Sequence, residues 1–190
     1  MTDPEAQTDA ALLVAYANGD RAAAQDLTAR LVPRVFGQAF RMLQDQAEAE
    51  DIAQEAMIRL WKIAPDWQQD RAKVSTWLYR VVANLCTDKL RGRKRHTPLD
   101  QAPDPEDPAI SAVDQLQAGQ RARALSEALA QLPARQAQAV SLRHLEGCSN
   151  PEIAEIMDLS VEAVESLVSR GKRALTAALA HRKTELGFEQ

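Results

Sequence analysis

Trp67, Trp77 and Tyr79 precede a run of cations: Lys89, Arg91, Arg93, Lys94 and Arg95. Aromatic faces stack on unpaired bases and cations follow the phosphate backbone, so residues in this order suit the holding of single-stranded nucleic acid. The window 71–95 has eight Lys or Arg against one Asp, in a chain of formal net charge −4. A basic cluster on an acidic protein marks a local polyanion site rather than a generally adhesive surface. A core tryptophan followed by a solvated basic helix end would leave the same pattern. A second cluster lies near the C-terminus, where Glu162, Glu165, Ser166, Ser169, Arg170, Lys172 and Arg173 can read base edges or meet phosphates. Catalytic chemistry has no comparable set: there is no Ser/His/Asp spacing, no Gly-rich phosphate loop and no paired carboxylates. Cys86, Cys148, His96, His144 and His181 show no ligand spacing. The expectation is a non-enzyme with no metal and no cofactor.

The elements that must position these groups read as helices. Many Ala and Leu with few β-branched runs favour an all-α chain. In 74–95, Val74, Trp77, Leu78, Val81, Val82, Leu85 and Cys86 recur at helical spacing, and Thr76, Tyr79, Arg80, Asn84, Thr87 and Asp88 fall on the other faces. Upstream, a short helix over 9–17 ends at Asn18-Gly19, and Asp20 caps the helix 21–31. Pro33 is expected to restart or kink the chain. Gln46–Ile63 turns Ile52, Ala56, Leu60 and Ile63 inward, with Glu48, Glu50, Asp51, Gln54, Glu55, Arg59 and Trp61 outward. Exposed Trp and Arg are frequent at binding hot spots, so this acidic outer face is a candidate partner surface. A half-buried Trp on a solvated face is the simpler reading.

Residues 96–114 hold Pro98, Pro103, Pro105 and Pro108 with five acids and no Lys or Arg, which reads as an extended linker. Beyond it, 121–132 is helical, and Pro133 suits the first turn of a helix carrying Ala137, Val140, Leu142 and Leu145 and stopping at Gly147. Ser149 and Glu152 have capping-box spacing, or Asn150 caps with Pro151 at the first position. Asp158-Leu159 turns and Ser160 caps a last helix to about residue 181. The span 152–173 has the plan of a helix-turn-helix, packed through Ile153, Ala154, Ile156, Leu159, Val164 and Leu167. There is no apolar leader at the N-terminus and no apolar run approaching ~18 residues, so a cytoplasmic location without membrane insertion is expected.

Ala49-Glu50-Asp51-Ile52-Ala53-Gln54-Glu55-Ala56 with Arg59-Leu60-Trp61, then Ser75 to Asn84, then Leu132-Pro133 and Ile153-Ala154-Glu155-Ile156, together resemble the extracytoplasmic-function (group four) bacterial sigma factors over roughly residues 9–182. The resemblance implies two small helical domains joined by an acidic Pro-rich linker. Sigma domain two would take 1–95, the linker 96–115, and the helix-turn-helix sigma domain four 116–185. It implies core RNA polymerase as partner, through the clamp of the largest subunit and the flap of the second-largest, with promoter DNA and an anti-sigma factor as the others. By motif match, Asp51, Gln54, Glu55, Arg59 and Trp61 fall on the clamp-binding helix. Trp67, Thr76, Trp77, Arg80, Asn84, Lys89 and Arg91 fall on the minus-ten side, and Glu165, Ser166, Ser169, Arg170, Lys172 and Arg173 on the minus-thirty-five side. Ala163, Glu165 and Leu167 depart from the family's usual Thr, basic residue and Arg. A two-domain regulator with a helix-turn-helix output would account for the second half alone, and a helical adaptor without a DNA role is a third reading.

Overall fold

The computed structural model describes residues 8–68, 73–96 and 123–180. The chain divides into two compact units, the first built on residues up to His96 and the second on most of those after it. All regular structure among the described residues is helical. The expected linker, the end of the loop before Val74 and the C-terminal residues 181–190 lie outside the described residues, as do the side chains of Lys94, Arg95 and His96.

The first unit has four helices: α1 (Asp9–Ala17), α2 (Arg21–Leu43), α3 (Gln46–Ile63) and α4 (Val74–His96). Thr8 caps α1, accepting from the Ala11 N–H, and Gly19 turns the chain at φ +97. The Asp20 carboxylate then accepts from the N–H groups of Ala22 (2.8 Å) and Ala23 (3.3 Å), satisfying two of the orphan donors of α2.

Of the two expected outcomes at Pro33, a restart does not occur: α2 runs through it. An internal proline costs about 3 kcal/mol. Here Pro33 is exposed, while Leu27 and Leu31 before it and Val35, Ala39 and Leu43 after it are all buried in one core. Burial of each large apolar side chain contributes roughly 1.5–3 kcal/mol, so the shared core outweighs the broken backbone bond.

That core gathers Leu12 and Leu13 from α1, the α2 row, Ile52, Ala56 and Leu60 from α3, and Val74, Leu78, Val82 and Cys86 from α4. Burial pushes the Cys86 thiol up to about 12, so it packs as a neutral apolar group. Two assignments on α4 are corrected. Thr76 and Tyr79, expected on outer faces, are 3 % and 1 % exposed. Helix α4 touches α1, α2 and α3, so its buried arc is wider than a single stripe. Buried Gln38 on α2 donates to the Tyr79 carbonyl at 3.2 Å across this contact.

After residue 96, the described residues form a helix α5 over 123–130, then α6 (Ala134–His144), α7 (Asn150–Met157) and α8 (Val161–Ala180). The capping box forms as the spacing predicts: the Glu152 carboxylate accepts from the Ser149 N–H and hydroxyl, both at 2.7 Å. Asp158 takes φ +53 at the turn, and Ser160 caps α8 by accepting from the Ala163 N–H. Helices α6 and α8 cross at Gly171. A Cβ there would lie 2.5 Å from a Val140 methyl and 3.1 Å from the Gln136 carbonyl, so only glycine allows this approach. Helix α6 stops at His144, short of Leu145, a residue expected within it and 45 % exposed.

Candidate nucleic-acid interface

Three surfaces collect the residues singled out by the sequence. On α3, Asp51, Gln54 and Arg59 are exposed, and the Arg59 Nε donates to Glu55 at 2.8 Å, one helical turn away. Trp61 is half-buried and its ring meets Tyr16 of α1 at 4.6 Å. Beside it runs an apolar groove of about 410 Å³ between α2 and α3, floored by Val32, Phe36, Met57 and the exposed Ile58. The sequence reading missed this groove. Its signal was Ile58, an apolar residue standing outside the inward stripe.

On α4, Trp77, Arg80 and Asn84 follow at the i, i+3, i+7 spacing of one side. Arg80 and Asn84 are exposed, and half-buried Trp77 meets Trp67 edge to face at 6.1 Å. The Trp67 indole N–H is buried with no acceptor among the described residues. These four residues are brought together. Thr76 is not among them, because it faces the core, and Tyr79 cannot serve as an aromatic platform for the same reason.

The basic end of α4 is tied inward. Lys89 lies 3.9 Å from both Glu48 and Asp51. Arg93 donates to the Leu43 carbonyl at the end of α2 (3.1 Å), pairs with Glu48 and stands 3.7 Å from Asp45. Asp45 is also the N-cap of α3, accepting from the Glu48 N–H at 2.9 Å. The start of α3 thus gathers acids that hold the α4 cations. Arg91 pairs with Asp88 at 3.8 Å on a fully solvated side of α4.

On α8, Glu165, Ser166, Ser169, Arg170, Lys172 and Arg173 are all exposed, while Val164 and Gly171 face inward. Arg170 folds its Nε onto the Ser166 carbonyl at 3.2 Å. Lys172 and Arg173 have no carboxylate partner among the described residues. A helix, a turn and a second helix follow one another here, the order of elements in a helix-turn-helix. A second apolar groove, about 330 Å³, lies between α5, α6 and α8, lined by Leu125, Leu129, Val140, Leu145, Leu175 and Leu179.

Residues 27–96 match the family model for Sigma-70 region 2, and residues 122–175 the one for Sigma-70, region 4. The ECF RNA polymerase sigma factor SigM of Mycobacterium tuberculosis is 30 % identical over 184 residues, covering 97 % of this chain and 91 % of SigM. This chain is an ECF sigma factor. The RNA polymerase sigma-H factor of Pseudomonas aeruginosa is likewise 30 % identical, over 91 % of this chain and 94 % of its own length. The fold is that of a sigma factor RpoE solved in complex with the anti-sigma factor NepR from Bartonella quintana, with TM-score 0.68 at 19 % identity, covering 83 % of this chain and 96 % of that one. In this sigma factor the α3 face, the Trp67–Trp77 side and the basic end of α4 lie in region 2, and the α8 surface in region 4. No helix among the described residues is long and apolar enough to cross a membrane.

Proposed function

We propose that this ECF sigma factor acts in the cytoplasm as a non-catalytic specificity subunit that loads onto core RNA polymerase, selects promoters and opens them. Region 2 holds core through the outer side of α3, with Asp51, Gln54, Glu55 and Arg59 around the Trp61–Tyr16 pair. It holds the opened minus-ten strand along Trp67, Trp77, Arg80 and Asn84, with Arg91 and Lys89 behind them. Thr76 contributes by packing. Region 4 reads the minus-thirty-five duplex with α8 and meets the polymerase flap through the groove around Leu145. Residues 1–95 and 116–185 are the two working domains, and 96–115 joins them. An anti-sigma factor covers the exposed apolar groove beside Ile58 when the chain is off the polymerase, because an uncovered patch of this kind invites association.

The observation that carries this reading is the Trp67–Trp77 pair beside exposed Arg80 and Asn84. Flipping a base out of the stack costs a few kcal/mol. Stacking returns about 1–3 kcal/mol per base, and an amide and a guanidinium add edge and phosphate contacts. The test is run-off transcription with core polymerase on genomic fragments, with permanganate mapping of melted thymines. The parent should initiate at discrete sites, and Asn84→Ala should reduce thymine reactivity more than closed-complex formation. No initiation, or no stoichiometric co-purification with core, would instead indicate a helix-turn-helix regulator.

A further inference from the structure

We infer that Glu165 sets a base preference of the reading helix by accepting a hydrogen bond from a cytosine amino group, a step that rests on α8 entering the major groove as proposed above. At about 100° per residue, positions 165, 169 and 172 form one stripe and positions 166, 170 and 173 a second, roughly 100° round the helix. All six residues are exposed. Each stripe ends in a cation, Lys172 on one and Arg173 on the other. A helix lying in a groove faces a phosphate wall on either side, so paired terminal cations suit one anchor per wall. Ahead of the anchors stand Glu165 on the first stripe and Arg170 on the second.

Two carboxylates occur on this part of α8, and they are differently placed. Glu162 is held below the usual carboxylate range by its own backbone N–H and the Ser160 hydroxyl, so its charge serves the helix start. Glu165 makes no hydrogen bond or ion pair among the described residues. A carboxylate cannot share a place with phosphate. On the major-groove floor the donors are amino groups, and Glu matches the N4 amino of cytosine, whereas Gln matches adenine through N6 and N7. A sequence without a donor there leaves a negative charge unpaired in the groove, so the site discriminates by penalty as well as by attraction. Arg170 follows five residues later, about 7.5 Å along the axis, or about two base-pair steps of ~3.4 Å. With its Nε on Ser166, its terminal nitrogens remain for guanine O6 and N7. The selected duplex should therefore carry a cytosine and, about two steps away, a guanine.

The experiment uses the full chain on core polymerase with a duplex library randomised over the upstream element. The parent should enrich cytosine about tenfold at one position. Glu165→Gln should move that preference to adenine, and Glu165→Ala should flatten it while other positions stand. Arg170→Ala should flatten the guanine, and Glu162→Gln, the matched loss of one negative charge, should leave the preferred base at the Glu165 position as it is in the parent. The inference is overturned if Glu165→Gln selects the parent's bases, if it tightens all sequences by one factor, or if Glu162→Gln shifts the same position. A parent that selects no upstream sequence at all overturns the promoter-reading proposal and this inference together.

Discussion

The basic end of α4 and the basic stretch midway along α8 look alike in sequence and differ in what they hold. Lys89 and Arg93 on α4 are occupied by Asp45, Glu48 and Asp51 from the start of α3, and Arg93 also caps the end of α2. Lys172 and Arg173 on α8 have no carboxylate beside them among the described residues. Cations of the first kind orient helices, and a phosphate must compete with a carboxylate to win them. Cations of the second kind are available at once. Charge counted along a sequence therefore overstates the cations left open at the α4 end and gives those on α8 fairly.

The largest effect separating the two should be on folding. Arg93→Ala removes a guanidinium bonded to a carbonyl and a carboxylate, each partly buried, and should cost about 2–3 kcal/mol. Arg173→Ala should stay within about 0.5 kcal/mol of the parent, as surface changes do. Urea unfolding followed by circular dichroism measures both, and equal losses would erase the distinction. Next is duplex binding. Arg170→Ala should cost about 1–3 kcal/mol in promoter affinity with no change in unfolding midpoint, read by titration of the loaded polymerase. The smallest effect is in salt dependence. Lys172→Ala should lower the log–log slope of duplex affinity by about 0.9, one phosphate's worth. Lys89→Ala should lower the slope for opened promoter by clearly less, because Lys89 must first leave Glu48 and Asp51. A full unit lost at Lys89 would mean that its carboxylate partners do not restrain it.

Local signals were legible. Asp20, Ser149 with Glu152, and Ser160 each cap the helix that the spacing predicted, since a cap needs partners within about three residues. The α3 and α8 faces were also placed by periodicity. Most of the misreadings come from neighbours distant in sequence. Arg93 finds Leu43 and Glu48 at separations of 50 and 45 residues. Tyr79 and Thr76 are buried because three other helices surround α4, which a one-stripe reading cannot register. Pro33 stays helical because the core on both sides of it is shared. Leu145 keeps the helical period of α6 yet is exposed, because it stands just past the last residue of that helix at the rim of a groove.

The pairing of Trp61 with Tyr16 has an optical side. All three tryptophans of the chain, Trp61, Trp67 and Trp77, and both tyrosines, Tyr16 and Tyr79, lie before residue 80. Tryptophan and tyrosine fluorescence of the intact chain is thus emitted by the first unit alone, and the second is dark at those wavelengths. At 4.6 Å from Tyr16, the Trp61 ring is within easy range of energy transfer, so a partner that parts the two rings changes the emission without any attached dye. Polymerase-side events at region 2 carry their own lamp, while anything watched at region 4 needs one installed.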